Sequence, residues 1–233
     1  MNFKQLIAAA AIASFGTLAQ AALITNGFTF TVASPGGNTT IGSHYHSNTG
    51  GAFGNPAGKA EVGRYFSEGV RGLSEYNLTG LGASASAFVT FNTYRAGGLF
   101  AGANDFPFTG TIAVDVYQGD NAESISDYQA ASLGNVFSFS TVGLAVGDIL
   151  SFDITSYFNT AITNGWNSLG IRLIATPLND RGAWTFDSFR LTSTNDCTPG
   201  TPQCGGQTPE PGSLALLSLA FLAAVAAIRR RGA

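Results

Sequence analysis

The sequence between residues 22 and 192 predicts an all-β fold, an antiparallel β-sandwich with one short helix. Three observations predict it: glycine is abundant at 30 residues, charged residues make up only 11% of the chain, and apolar residues recur in short alternating runs. Gly, Asn, Asp and Ser separate these runs, because a chain that forms short strands must reverse every few residues.

Seven segments alternate between apolar and polar residues in the way that half-buried strands do. In the third of them, Ile112, Val114 and Val116 share one face, and we predict that this face lies in the core. The predicted strands are Phe28–Ala33, Ala83–Tyr94, Thr109–Gln118, Val136–Ser140, Ile149–Ile154, Leu169–Ala175 and Trp184–Thr192.

One segment departs from this alternation and predicts the short helix. Residues Thr155–Thr163 hold apolar side chains at helical spacing, with Thr155 or Ser156 as the N-cap and Asn164-Gly165 as the terminator. We expect this helix to close one end of the sandwich.

The N-terminal segment Met1–Ala21 has the pattern of a secretory signal peptide. Lys4 is the only cation ahead of an apolar stretch, and Ala19 and Ala21 form the small-x-small site that precedes cleavage before Ala22. The alternative is a helix of the core, but the charged start and the cleavage site favour export.

The C-terminal segment predicts a membrane-insertion signal. Its sixteen uncharged residues, Ser213–Ile228, would reach about 24 Å as a helix, which is short for a hydrocarbon core of about 30 Å. The arginines that follow should stay in the cytoplasm and leave the rest of the chain outside. The signature ahead of the segment and the cations after it are Pro209, Glu210, Pro211, Arg229, Arg230 and Arg231.

This tail resembles that of the PEP-CTERM proteins, which bacteria with a Gram-negative envelope export. The resemblance rests on the Pro-Glu-Pro signature at 209–211, the Leu- and Ala-rich segment Leu214–Ile228 and the arginine cluster at 229–231. It implies recognition by an exosortase, a membrane cysteine protease thought to cut near the signature. It also implies transit through the inner membrane to the cell surface or the extracellular matrix.

Four segments follow from these patterns: a signal peptide at 1–21, a β-sandwich at 22–192, a Thr-, Pro- and Gly-rich linker at 193–208 and the sorting segment at 209–233. Without Lys4 and the three terminal arginines, the chain contains seven basic and fourteen acidic residues, so it is acidic. Nucleic acid is therefore not a predicted partner, because binding phosphates needs clustered lysine and arginine.

The middle of the chain resembles the jelly-roll modules of the disaggregatase-related, DNRLRE type, which are kin to carbohydrate-binding modules. The resemblance spans Thr109–Thr192 and rests on the runs Asp115–Asp120, Leu150–Tyr157, Gly170–Leu173 and Thr185–Ser188. It implies a jelly-roll-like sandwich, with a polysaccharide as the partner.

The two tryptophans are the candidate ligand-binding residues. Trp166 lies in a predicted turn after the helix, and Trp184 lies at the start of the last predicted strand. Sugars stack their apolar ring faces on aromatic side chains while Asn, Asp and Arg take the hydroxyls, and both tryptophans have such neighbours. Core packing is the alternative for each.

Histidines and cysteines, the residues most often found in metal and redox sites, are few. His44 and His46 are the only histidines and lie in a stretch predicted to be a surface loop, residues 35–59. They could hold two corners of a zinc site, but no further ligands are evident, so a solvated loop is favoured. Cys197 and Cys204 are the only cysteines, and such a pair in an exported chain predicts a disulfide.

No sequence motif of catalysis is present, since the chain lacks the G-x-S-x-G, H-E-x-x-H and Walker-type patterns. We therefore predict neither catalytic residues nor a cofactor. Two alternatives stay open: a pair of carboxylates could act as the acid and base of a glycosidase, and Asp115, Asp120 and Asn121 could ligate a structural calcium. Aspartates at turns usually cap backbone N–H groups, so we predict turn capping and no metal site.

Together, these observations predict a non-enzymatic exported protein that its C-terminal segment sorts to the cell surface or the extracellular matrix. There its β-sandwich is expected to associate with exopolysaccharide. The alternatives are a purely structural envelope or biofilm protein without a defined ligand, and a secreted glycoside hydrolase.

Overall fold

The structure is a computed structural model that describes residues 22–35, 41–46, 58–176 and 181–201. This part of the chain contains eleven β-strands, one α-helix and a 3-10 helix (Ile125–Gln129). The α-helix is α1 (Thr155–Thr163). The strands are β1 (Leu23–Asn26), β2 (Phe28–Ser34), β3 (His44–Tyr45), β4 (Lys59–Tyr65), β5 (Glu68–Asn77), β6 (Phe88–Arg95), β7 (Thr111–Gln118), β8 (Ser132–Ser140), β9 (Ile149–Asp153), β10 (Ser168–Thr176) and β11 (Ala183–Thr192).

The strands pair in the order β8-β7-β10-β5-β4-β11-β6-β9, and the described pairs are antiparallel. Three more strands flank this path: β2 pairs with β5, β3 with β2 and β1 with β11. The end strands meet where the Phe137 ring of β8 stacks on the Phe152 ring of β9, with 5.1 Å between centroids. The predicted all-β fold with one helix is confirmed as a nearly closed sandwich.

The seven predicted strands are all present, with boundaries that differ by a few residues. The largest difference is in β6, which begins at Phe88 and not at Ala83. Its earlier residues are held outside the ladder, because the Asn159 side chain makes two hydrogen bonds of 2.9 Å to the backbone of Ser84. Strands β1, β3, β4 and β5 have no counterpart in the prediction.

The predicted core face of β7 is confirmed, since Ile112, Val114 and Val116 are fully buried in the main hydrophobic core. A group of phenylalanines around Phe91 of β6 packs in the same core. The rings around Phe91 are those of Phe139, Phe152, Phe186 and Phe189, with centroid separations of 4.6 to 6.4 Å.

A smaller core covers the opposite face of β7, which the sequence did not predict to be buried. Tyr117 is fully buried there because β2 and a 3-10 helix (Ile125–Gln129) pack over it. Gly170 of β10 makes room for its ring, since a Cβ at this position would lie 2.2 Å from Tyr117. The buried members are Phe30, Val32, Leu73, Tyr117 and Tyr128.

Arg172 of β10 ties the 3-10 helix to the sheet. Its side chain is 4% exposed, and its Nη1 donates to the carbonyl oxygens of Asp127, Tyr128 and Ala130 at 2.9 to 3.1 Å. The register of β10 against β7 places it opposite Asp115, whose Oδ2 lies 3.7 Å from Nη2. The Arg172 guanidinium therefore donates to three carbonyl oxygens and forms an ion pair with one carboxylate.

Helix α1 begins and ends as the sequence predicts, at Thr155 and Thr163. The predicted N-cap is wrong, because Ile154 occupies that position and makes no side-chain capping bond. Asp153 Oδ1 instead accepts the Thr155 N–H at 2.8 Å. Gly165 terminates the helix with a φ of +67°, a left-handed conformation that glycine adopts without strain.

The described start of the predicted linker, residues 193–201, lies against the sheet. The Thr198 N–H donates to the Ile149 carbonyl at 3.0 Å, and the Ile149 N–H donates to Thr198 Oγ1 at 2.9 Å. The chain divides into two units, Met1–Gln203 and Cys204–Ala233, and the described residues all belong to the first. The predicted signal peptide and sorting segment lie outside the described residues.

Candidate functional site

Trp166 is held in the turn between α1 and β10. Its backbone N–H donates to the Ala161 carbonyl at 3.0 Å, and the left-handed Gly165 before it turns the chain out of the helix. The indole is half-buried: it packs against the main core and stays partly open to solvent. Sugar stacking and core packing were the two alternatives for Trp166. Its half-buried position is compatible with both, because one part of the ring packs on the core and another part is exposed.

An open groove of about 360 Å³ lies beside Trp166. The Tyr157 ring stands over Gly134 of β8, where a Cβ would lie 2.2 Å from Tyr157 Oη, so only glycine leaves the ring in place. The groove is lined by Leu133, Ser156, Tyr157, Thr160 and Trp166.

This groove combines aromatic rings with hydroxyl groups, and its lining residues carry no charge. Ser156 and Thr160 are exposed, so their hydroxyls can both donate and accept. The Trp166 Nε1–H has no acceptor among the residues that the structure describes. An aromatic face with free donors and acceptors around it suits a sugar, which has an apolar ring face and a rim of hydroxyls.

Trp184 lies in a different environment. It is 4% exposed within the main core, and its Nε1–H donates to the Phe108 carbonyl at 3.0 Å. Its polar atom is satisfied inside the fold, and its ring face is not presented to solvent. Trp184 therefore packs in the core, as the alternative for it stated. Of the two tryptophans, Trp166 remains the candidate sugar-binding residue.

A second cluster centres on Glu75 of β5, which the sequence did not single out. Glu75 is fully buried. Its Oε2 accepts the N–H groups of Asp120 and Asn121 at 3.0 and 2.7 Å and the Ser168 hydroxyl at 2.9 Å, and its Oε1 accepts the Tyr117 hydroxyl at 3.1 Å. Burial raises the pKa of Glu75, although these hydrogen bonds act to lower it.

The loop after β7 wraps around this carboxylate. A Cβ at Gly119 would lie 2.5 Å from Glu75 Oε2, so glycine permits the close approach. Asn121 adopts a left-handed φ of +65°, which asparagine tolerates better than most residues. Its Nδ2 donates to the Asn167 carbonyl at 2.9 Å and so joins the loop to the turn that carries Trp166.

Asp127 of the 3-10 helix completes an acidic cluster. Carboxylate oxygens of Glu75, Asp120 and Asp127 all lie within 4.8 Å of one another. Burial, followed by the charges of Glu75 and Asp120, raises the pKa of Asp127 to about 7. Glu75 and Asp127 are buried, whereas a glycosidase needs its two carboxylates to face a substrate across an open cleft.

The calcium ligands that the sequence suggested are only partly brought together. Asp120 and Asn121 lie at the acidic cluster, but Asp115 does not. Asp115 pairs with Arg172 at 3.7 Å and accepts the Asn135 side-chain amide at 3.1 Å, so its carboxylate is used within the sheet.

The two histidines differ in environment. His44 is exposed, with Nε2 3.5 Å from Glu68 Oε2, whereas His46 is 2% exposed and its Nδ1 lies 3.6 Å from Glu61 Oε1. The His46 ring also packs edge-on against Phe100. Burial, followed by the charge of His44, lowers the pKa of His46 to about 3. His44 is solvent-exposed as predicted, but it lies in strand β3 and not in a loop, and the prediction of a solvated residue is wrong for His46.

Glu61 of β4 is a fully buried carboxyl group outside the groove. Its Oε2 accepts the Leu99 N–H at 3.0 Å, and its Oε1 accepts the Asn104 side-chain amide. Burial raises the pKa of Glu61 from 4.5 to about 7, although these hydrogen bonds lower it. Because the folded state then holds the proton more tightly than the unfolded state, its contribution to stability falls as the pH rises between these values.

We expect Glu61→Gln to remove this pH dependence. Between about pH 6.5 and about pH 8, the wild type should lose about 1 kcal/mol relative to the variant, as measured by urea unfolding. The buried His46 contributes with the opposite sign below pH 6.5, and its Nδ1 lies 3.6 Å from Glu61 Oε1, so the two proteins are compared above pH 6.5, where His46 is neutral. The variant also loses a hydrogen bond at every pH, so the readout is the slope. Parallel pH profiles would contradict the prediction.

The remaining predicted site residues lie close to the C-terminal end of the described residues or outside them. Cys197 is disulfide-bonded, and its N–H donates to Asn195 Oδ1 at 2.8 Å. Cys204 lies outside the described residues, as do the cleavage residues Ala19 and Ala21 and the sorting residues at 209–211 and 229–231. Their roles stay predictions.

The C-terminal segment has known counterparts. Residues 207–231 match the PEP-CTERM protein-sorting motif, a span that includes the signature and the arginines named above. No curated protein matches the chain in sequence. Among the described residues, no helix is both long and apolar enough to cross a membrane. The resemblance found in the tail is confirmed: the chain carries the PEP-CTERM motif and is an exported protein sorted by an exosortase.

Proposed function

We propose that this protein is a non-catalytic, polysaccharide-binding protein of the cell surface or the extracellular matrix, and that it binds sugar in the groove beside Trp166. One observation carries the proposal. The half-buried Trp166 ring, together with Tyr157, lines an open groove of about 360 Å³. A partly exposed tryptophan is a platform on which the apolar face of a sugar ring can stack.

The fold positions this platform before any sugar binds. The Trp166 backbone is fixed by its bond to Ala161, and the carbonyl of the following Asn167 accepts N–H groups from Leu78 and Asn121 at 3.0 and 2.9 Å. A residue held in this way loses little conformational entropy on binding, so more of the contact energy is available for affinity.

The chemistry of the lining favours a neutral stretch of polysaccharide. None of the five lining residues is charged, and acidic residues outnumber basic ones in the exported part of the chain. A densely anionic polymer would find no cation in the groove to pair with, whereas the hydroxyls of Ser156 and Thr160 match sugar hydroxyls.

A purely structural role predicts that both tryptophans are buried and that no groove lies near them. Trp184 fits that expectation, but Trp166 does not, because its ring is partly exposed beside the groove. This difference between the two tryptophans favours the binding proposal.

The test is calorimetric titration of the detergent-solubilised full chain with exopolysaccharide from the producing bacterium. We expect saturable binding that Trp166→Ala weakens at least about tenfold, equivalent to about 1.4 kcal/mol, because the stacking face is lost. Trp166→Phe, which keeps a smaller ring, should give an intermediate affinity.

The matched control is Tyr94→Ala, because Tyr94 is 41% exposed but does not line the groove. It should bind as tightly as the wild type. The proposal fails if the wild type does not bind, or if the two alanine variants lose affinity equally while circular dichroism shows both folded.

A further inference from the structure

The acidic cluster, which Asn121 joins to the Trp166 turn, has a cation close by: Arg172, whose guanidinium donates to the Asp127 backbone carbonyl and pairs with Asp115. Glu75, Asp120 and Asp127 present carboxylate oxygens within 4.8 Å of one another. Among the described residues, neither lysine nor arginine forms an ion pair with any of the three. Like charges this close repel strongly at a buried site, so the cluster is stable only if a proton or a cation neutralises part of the charge.

Asp127 supplies independent evidence for a ligand. The residue is only 6% exposed, and its buried Oδ2 accepts no hydrogen bond from an N–H or O–H donor of the described chain; the side-chain group it meets is the Glu75 carboxyl, which can pair with it only through a shared proton. Buried carboxylate oxygens are almost always paired in folded proteins, because an unpaired one is costly. The side-chain oxygen of Asn121, in the same loop, is likewise buried and unpartnered within the described residues.

We infer that Glu75, Asp120 and Asp127 bind a calcium ion, with the Asn121 side-chain carbonyl as a further oxygen ligand. Calcium takes six to eight oxygen ligands at about 2.3 to 2.6 Å, so two of its ligands lie at most about 5 Å apart. The separation of the three carboxylates fits this limit. Water and backbone carbonyls would complete the shell.

The donor set selects calcium over other common ions. Zinc prefers nitrogen and sulfur ligands, and the cluster offers only oxygen. Magnesium demands near-ideal octahedral geometry and is reluctant to lose its water, whereas these ligands come from three separate segments of the fold. An exported protein also meets the calcium concentrations at which weak extracellular sites are filled.

The ion would join elements that are distant in sequence. Glu75 lies in β5, Asp120 in the loop after β7, and Asp127 in the 3-10 helix. The Asn121 side chain links this cluster to the turn before β10, and the Ser168 hydroxyl links it to the first residue of β10. A bound calcium would therefore stabilise the loop after β7, which is hydrogen-bonded to the Trp166 turn through Asn121. The inference does not depend on what the groove binds.

The test is thermal unfolding and calorimetry of the full chain, first treated with a chelator and then titrated with calcium chloride. We expect one calcium per chain and a Tm higher by roughly 5 to 10 °C at a calcium concentration of about 100 times the Kd. Magnesium chloride at the same concentration should raise the Tm much less.

Asp127→Asn keeps the shape of the side chain and should weaken calcium binding at least about tenfold, because a charged ligand is lost. Asp148→Asn, which alters a half-buried aspartate outside the cluster, should bind calcium as the wild type does. If the wild type binds no calcium, the inference is overturned, and a higher Tm of Asp127→Asn in chelator would then show that a shared proton neutralises the cluster. Unchanged binding in Asp127→Asn would overturn it as well.

Discussion

Replacing Phe91 with alanine is expected to lower the free energy of unfolding by about 3 to 5 kcal/mol. The ring is fully buried in β6, stacks on Phe189 at 4.6 Å and meets Phe186 edge-on at 5.3 Å. The substitution removes the transfer energy of the ring and leaves a cavity, which surrounding rings attached to fixed strands can fill only partly. Equilibrium urea unfolding of the full chain measures the loss.

Phe137→Ala is the matched control, since it makes the same chemical change at a residue that is 40% exposed. Phe137 stacks on Phe152 at the junction of β8 and β9, so its loss should cost about 1 kcal/mol. Similar losses in the two variants would show that the phenylalanine group does not dominate the core.

Arg172→Met should be comparably destabilising, by about 3 to 5 kcal/mol, although it removes a polar group. Methionine keeps the apolar stem but leaves the carbonyls of Asp127, Tyr128 and Ala130 without the guanidinium that they share. It also leaves Asp115 without its cationic partner. The 3-10 helix should then detach first, which urea unfolding combined with hydrogen exchange of its amides would detect.

Arg190→Met serves as the comparison for this variant. Arg190 pairs with Asp196 at 2.9 Å near the surface, where such a pair contributes about 1 kcal/mol or less. A loss at Arg172 no larger than the loss at Arg190 would show that the three carbonyls find other partners.

The strands that the sequence predicted are those in which one face is continuously apolar. In β7, alternation identified Ile112, Val114 and Val116 because burial on one face imposes a period of two. Strands β4 and β5 were not predicted, because the charged residues Glu61 and Glu75 interrupt the apolar pattern at positions that are fully buried. Partners from distant segments satisfy these carboxylates, and a pattern of single residues does not contain that information.

The candidate groove was partly predictable and the acidic cluster was not. Trp166 stood out because turn residues precede it, and a large aromatic residue in a turn is rarely fully buried. Glu75 and Asp120 are 45 positions apart and meet only through the pairing of β5 with β10 and of β10 with β7. The visible signal was a glutamate two residues after Leu73 and directly before Tyr76, in an otherwise strand-like run.

The abundance of glycine in this chain has a consequence for its evolution. A Cβ on Gly170 would strike the Tyr117 ring and a Cβ on Gly134 would strike Tyr157, each at 2.2 Å, so these glycines are required by packing. Each glycine and its tyrosine form a complementary pair whose members should change together. In homologous chains, a larger residue at position 134 should accompany a smaller one at 157, and the shape of the groove would change with them.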